Sequence, residues 1–212
     1  IVHEIRNPLT SVNALVKLAP QQHKDDEYIE MFSSLVPQEL NRIGVLMEDL
    51  LEFSQVKKLA KKNINLISLL QERKRVINMN AKDNNVTIKI SGPDLILMAD
   101  ENKLVQAFHN IMQNGVQAMQ NGGTLSVSIR ETKVDTNELL SSMILIKIED
   151  EGEGMSTETQ NSLFKPFYTT KEKGTGLGLA ITKKIIDDHD GKIKVTSELG
   201  EGTRFDIYLP MG

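Results

Sequence analysis

The chain has 212 residues, 39% of them hydrophobic and 25% charged, enough for one large core or two modest ones in a composition ordinary for a soluble protein. A formal net charge of −4 argues against a polyanion binder, so no nucleic acid is expected as a partner. There is no cysteine, hence no disulfide or thiol chemistry, and no apolar run approaches the roughly 18–20 residues that cross a bilayer.

The N-terminus carries no signal peptide, because Glu4, Arg6 and Asn7 break any apolar run. Ile1 opens straight into a helical pattern, as though cut from a longer protein. Val2, Ile5, Leu9, Val12, Leu15, Val16 and Leu18 predict a helix ending near Pro20. After a polar turn over 21–26, a second helix carries a broad apolar face from Ile29 to Phe53. Two such helices cannot cover that face alone, so pairing of two chains into a four-helix bundle is expected. Pro8 and Pro37 lie inside the helices and should kink or loosen them. Lys57, Lys58, Lys61 and Lys62 read as a solvated linker.

Beyond it, residues 66–83 suit a helix, and Val86–Ile90 and Leu95–Met98 suit strands around a Gly92-Pro93 turn. Residues 101–121 form a helix stopped by Asn121-Gly122-Gly123; Leu125–Arg130 and Met143–Glu149 resemble paired strands. A weakly patterned region from Gly152 to Gly174 precedes a helix over 177–189, and Lys192–Thr196 with Arg204–Leu209 close the chain as a hairpin. Helices and strands that do not strictly alternate indicate an α+β chain, its second part an α/β sandwich with helices on one face of a mixed sheet.

Chemistry gathers at five places. In His3-Glu4-Ile5-Arg6-Asn7-Pro8-Leu9-Thr10, a carboxylate beside an imidazole can hold the Nδ1 proton and leave Nε2 nucleophilic. Asn7, at i+4, shares the face of His3. Asn110 and Asn114 stand one turn apart in a helix interior, where asparagine is up to about 0.7 kcal/mol worse than alanine. Either both are solvated, or Asn114 offers a neutral oxygen to Mg²⁺ with Asn110 in support. Asp150-Glu151-Gly152-Glu153-Gly154 follows a strand; it is a turn, or Asp150 accepts from an exocyclic amine while the glycines admit a flat ligand. Gly174-Thr175-Gly176-Leu177-Gly178 opens the last helix, where free N–H groups suit phosphate, although it is neither a Walker loop nor a dinucleotide fingerprint. Between the glycine sites, Phe164-Lys165-Pro166-Phe167-Tyr168 is core packing or the anchor of a lid whose Lys171 or Lys173 neutralises phosphate.

The succession of His3 octet, paired asparagines, Asp150 glycines, aromatic segment, Gly174 glycines and the Gly200–Thr203 turn resembles the sensor histidine kinases of two-component systems, with their H, N, G1, F, G2 and final glycine boxes in order. It looks more narrowly like the sporulation-initiating kinases of endospore-forming bacilli. The resemblance implies a helical dimerisation and phosphotransfer domain over 1–60 and an ATP-binding domain of the gyrase, Hsp90 and histidine kinase type over 61–212. It implies a protein-histidine kinase using ATP and Mg²⁺: His3 as phosphoacceptor, Glu4 activating it, Asn7 assisting phosphatase action, Asn114 holding the metal beside Asn110. Asp150 would read adenine in a pocket shaped by Gly152 and Gly154. Gly174, Gly176, Leu177, Gly178 and Thr203 would border the nucleotide with Lys171 and Lys173. The implied partners are a second copy through the stem, a response regulator receiver domain and a small regulatory protein on the stem. The implied location is cytoplasmic, in a parent protein that a membrane anchor would suit.

Three positions depart from the family pattern: Gly115 where alanine commonly follows, His109 where an apolar residue is usual, and His189-Asp190-Gly191 in place of His-Gly-Gly. Aspartate tolerates left-handed φ, so the last should be harmless; His109, His189 and His23 are read as structural. Two rivals stand beside the kinase: an ATP-driven conformational clamp of the same fold, and a non-catalytic dimeric scaffold. In the kinase reading the linker around Lys57–Asn63 is the hinge between stem and ATP-binding part.

Overall fold

The computed structural model describes residues 2–22, 25–54, 58–83, 85–136, 139–171 and 174–211, with the backbone alone at 2–5, 21–22, 49, 52–54, 79–80, 82–83, 135–136 and 139–141. Helix α1 (Val2–Gln22) and helix α2 (Asp26–Ser54) form the stem. Both run unbroken as helices through their prolines, Pro8 and Pro20 in α1 and Pro37 in α2. Tyr28 pins them together: its buried hydroxyl donates to the Leu15 carbonyl at 2.6 Å.

The linker is less free than its lysines suggest. The Ala60 N–H donates to Asp100 Oδ2 at 2.9 Å, and Lys62 begins strand β1 (Lys62–Asn65). Lys61 pairs with Asp190, and Lys62 with Glu101. Exposed pairs of this kind contribute little stability; they fix where the linker lies. Residues 58–61 are irregular described backbone between stem and sheet, and Lys62 and Asn63, expected in the linker, belong to β1; Lys57 lies outside the described residues.

β1 pairs antiparallel with β3 (Ile96–Ala99) in a small separate sheet. The two strands expected around Gly92-Pro93 both form, but not as a pair: β2 (Val86–Ser91) runs parallel to β4 (Gly123–Thr136). The main sheet has the order β2-β4-β5-β7-β6, completed by β5 (Leu139–Asp150), β6 (Lys192–Glu198) and β7 (Gly202–Pro210), antiparallel from β4 onward. Helices α3 (Leu66–Asp83), α4 (Glu101–Ala118) and α6 (Gly178–Asp188) pack with this sheet, and the short α5 (Thr157–Ser162) lies against β6. The period of two puts Ile144, Ile146 and Ile148 of β5 on one row, opposite Leu209, Ile207 and Phe205 of β7. All six are buried in the core that receives Leu104, Phe108, Ile111 and Met112 of α4.

Candidate functional site

The row of β5 isoleucines ends in Asp150, and the same parity turns that carboxylate inward, beneath α4. Gly115 of α4 lies directly over it: a Cβ there would press on Leu125 Cδ1 at 2.7 Å and touch Asp150 Oδ2 at an ordinary 3.4 Å. Asp150 is 6% exposed. Burial pushes its pKa up to about 6, although N–H groups of Gly152 (3.0 Å) and Thr203 donate to it and hold it lower than burial alone would. Gly152 thus shapes the site by fixing the carboxylate and does not itself line the cavity. Gly154, at φ 65°, does line it; a Cβ there would run into the Glu198 carbonyl oxygen, so only glycine fits.

The cavity that Asp150 floors holds about 330 Å³ between α4, the turn after β5, the segment from Thr169 to Lys171 and the start of α6. Asn110 and Asn114 both line it. Asn110 spends its Nδ2–H on the Gly178 carbonyl at 3.1 Å, joining α4 to the first turn of α6. Asn114 Oδ1 accepts from Lys171 Nζ at 2.8 Å, and Gln117 Oε1 accepts from the same ammonium at 2.7 Å. Burial lowers the Lys171 pKa, and the Glu153 carboxylate partly restores it. An amide oxygen that already receives a cation suits a hard divalent ion, so the donor set fits Mg²⁺.

Gly174, Gly176, Gly178 and Thr203 line the cavity as well. Leu177 does not: its side chain is fully buried in the core and its N–H donates to Thr175 Oγ1. Its contribution is to anchor the loop from below. The aromatic segment is divided. Phe164 and Phe167 pack against the core, while Tyr168 faces the cavity. Phe167 takes φ 66° and donates its N–H to Gly176 O at 3.0 Å, stapling this segment to the glycine loop. Lys173 lies outside the described residues. His3 and Glu4 stand in the first turns of α1 with only their backbone described, and Asn7 is exposed one turn on.

Gln113 and Gln117 line the cavity, carry no motif and escaped the sequence reading; Glu153, quoted in the Asp150 motif without a role, and His109, read as structural, line it too. Burial, aided by the Arg73 charge, lowers the His109 pKa and keeps the ring neutral. His189 is structural as expected. Its Nε2 accepts the Asp100 N–H at 3.0 Å, so Nδ1 carries the proton and donates to Ile185 O at 2.7 Å. Asp190 takes φ 57°, the left-handed conformation its side chain tolerates.

Residues 1–58 match the family described as His Kinase A (phospho-acceptor) domain, and residues 99–212 the one described as histidine kinase-, DNA gyrase B-, and HSP90-like ATPase. The whole chain is 36% identical to sporulation kinase C of Bacillus subtilis, spanning 47% of that protein, and 33% identical to sporulation kinase E of the same organism, spanning 28%. Sensor histidine kinase ZraS of Escherichia coli is 28% identical over all of this chain and 44% of its own length. The chain thus covers less than half of each of these relatives. Among solved structures, histidine kinase ThkA in complex with response regulator protein TrrA aligns with TM-score 0.78 and 25% identity, over 100% of this chain and 60% of that one. The Acinetobacter baumannii histidine kinase AdeS shares the fold at TM-score 0.78 and 24% identity, over 100% and 99% of the two chains.

Proposed function

This chain belongs to the histidine kinase-, DNA gyrase B- and HSP90-like ATPase family, on its histidine kinase branch, and from that premise we propose that it phosphorylates its own His3 from Mg·ATP and passes the phosphoryl group to an aspartate of a response regulator. The observation that carries the reading is convergence: Asp150 at the floor, Asn114 in the wall and the glycines at 174, 176 and 178 face one cavity. A buried carboxylate suits an adenine amine, an amide oxygen suits a hard cation, and the start of α6 suits phosphate.

The division falls at about residue 60: a stem over 1–60 that pairs with a second copy and carries His3, and an ATP-binding unit over 61–212. Nε2 of His3 attacks the γ-phosphorus as the bond to the β,γ-bridging oxygen breaks and ADP leaves. Glu4 accepts the hydrogen bond of Nδ1–H and steadies the positive charge the ring acquires. A carboxylate oxygen of the regulator then takes the phosphoryl group, the N–P bond breaks, and the neutral imidazole returns. Asn7, exposed one turn from His3, orients the water that attacks the regulator's aspartyl phosphate, breaking its P–O bond and releasing inorganic phosphate. Mg²⁺ on Asn114 supplies charge neutralisation; positioning supplies the rest. Among the described residues no helix is long and apolar enough to cross a membrane; the reading of ATP as phosphoryl donor is what supports a cytoplasmic location for this segment.

Incubation with γ-labelled ATP and Mg²⁺ tests this. Acid-labile, base-stable label should appear on the protein and vanish in His3→Gln. Phosphate release without protein label would favour the clamp, and absence of nucleotide binding the scaffold.

A further inference from the structure

Lys171 is held by the protein's own groups at both its backbone and its ammonium. Its backbone is fixed by a local turn: its N–H donates to Thr169 Oγ1 at 3.1 Å, and its carbonyl accepts from the Gly174 N–H at 3.2 Å. From that base its ammonium reaches α4 and donates to Asn114 Oδ1 at 2.8 Å and Gln117 Oε1 at 2.7 Å. Glu153 lies close enough to act on the same charge. Asn114 and Gln117 turn their amide oxygens to the ammonium, and the Glu153 carboxylate lines the same cavity, which is the company a cation keeps.

Under the proposed function, on which this inference rests, Asn114 is the metal's protein ligand. An ammonium and a divalent ion cannot share one amide oxygen at contact distance, because their repulsion in a partly desolvated cleft is large. We propose that Lys171 is a displaceable internal cation seated on Asn114 and steadied by Gln117, so that Mg²⁺ loads only by ejecting Lys171 from its own ligand. Once ejected, the flexible stem of the lysine carries the ammonium toward the phosphates, and the segment from Thr169 to Lys171 loses its attachment to α4. Metal loading and the release of this segment are then one event. Gln117 has no part in holding the metal; its part is to hold the lysine.

The test uses the whole chain and a binding readout. Mn²⁺ is titrated by electron paramagnetic resonance into ADP-saturated wild type, Lys171→Met, Gln117→Leu and the double variant. Calorimetry of ADP binding runs alongside, in EDTA and in excess Mg²⁺. Lys171→Met should bind Mn²⁺ about tenfold more tightly, as expected when a competing cation held by two charge-assisted hydrogen bonds is removed. Gln117→Leu should tighten Mn²⁺ several-fold on its own and add nothing to Lys171→Met. A Mn²⁺ constant unchanged or weaker in Lys171→Met overturns the proposal. So does a Gln117→Leu effect that persists without the lysine, or loss of ADP binding in Lys171→Met with and without metal, which makes Lys171 a phosphate anchor. Wild type that binds no ADP under either condition sinks the proposed function itself, a separate result.

Discussion

Ile144, Ile146 and Ile148 are followed on the same inward row by Asp150, so a carboxylate occupies a place where the strand's own pattern calls for another apolar side chain. Its raised pKa of about 6 has two consequences of opposite use. In the unfolded chain the group loses its proton near the ordinary 3.8, in the native chain near about 6. Between these values the native state binds more protons. Stability therefore falls as pH rises from about 4 to about 6 and is flat above, by an amount on the order of 3 kcal/mol. Nucleotide binding runs the other way. The ionised carboxylate is the better acceptor for an adenine amine, so ADP affinity should rise through about pH 6 and be up to about tenfold weaker at pH 5 than at pH 8. Asp150→Asn should flatten both profiles; calorimetric titration and denaturant melts across pH would show it, and a wild-type affinity that ignores pH would contradict the assignment. Asp150, Asn114 and the glycines could be picked out from sequence because their residue types are odd for where they sit. Gln117 and Glu153 could not: a glutamine on a helix and a glutamate in a turn are ordinary, and only the ammonium they surround marks them.

Asp100 does for the elements what Asp150 does for the cavity. One carboxylate oxygen caps α4 by accepting from the Lys103 N–H at 3.3 Å; the other holds the Ala60 N–H of the linker. Its own N–H ends on His189 at the close of α6. Burial would raise its pKa, but the N–H donors of Ala60 and Lys103, with the Lys103 charge, outweigh this and leave the carboxyl below its ordinary value. Asp100→Ala removes a cap, about 1 kcal/mol, and the hydrogen bond from the Ala60 N–H, about 1 kcal/mol more because Ala60 is exposed and water reaches it. Chemical denaturation should record a loss of roughly 2 kcal/mol; a change under about 0.5 kcal/mol would mean that water replaces the carboxylate at no cost. Nothing local announces this junction. The helices were legible because a period of 3.6 persists over many residues, as in α3 and α4. β1 was not, since Ile64 is its single buried residue among Lys62, Asn63 and Asn65. α5 has no buried residue at all, and its one sign was Ser156, whose hydroxyl caps it by accepting from the Thr159 N–H. The pairing of β2 with β4 instead of β3 is a choice between distant partners, which a Gly-Pro turn cannot express.

At the scale of the molecule the stem is unfinished. Ile29, Leu40, Met47 and Leu51 recur at spacings of 11, 7 and 4 along α2, which stack them on one stripe. They remain 47%, 52%, 54% and 55% exposed. On α1, Leu9 and Val16 add a parallel pair at 48% and 50%. A continuous apolar stripe of this length on a single chain marks an association surface. The partner that fits is a second copy, whose identical stripes close a four-helix bundle about a two-fold axis. Such symmetry doubles every substitution. Leu40→Glu with Met47→Glu places four carboxylates in one dimer seam and removes four apolar side chains, each contributing about 1.5–3 kcal/mol when buried. Sedimentation should find the wild type dimeric at micromolar concentration and the double variant monomeric. The α/β unit, whose core shares none of these residues, should keep its ADP affinity within about twofold. A wild type that sediments as a monomer would leave the stripe to another protein, and a variant that stays dimeric would move the seam to a different face of the stem.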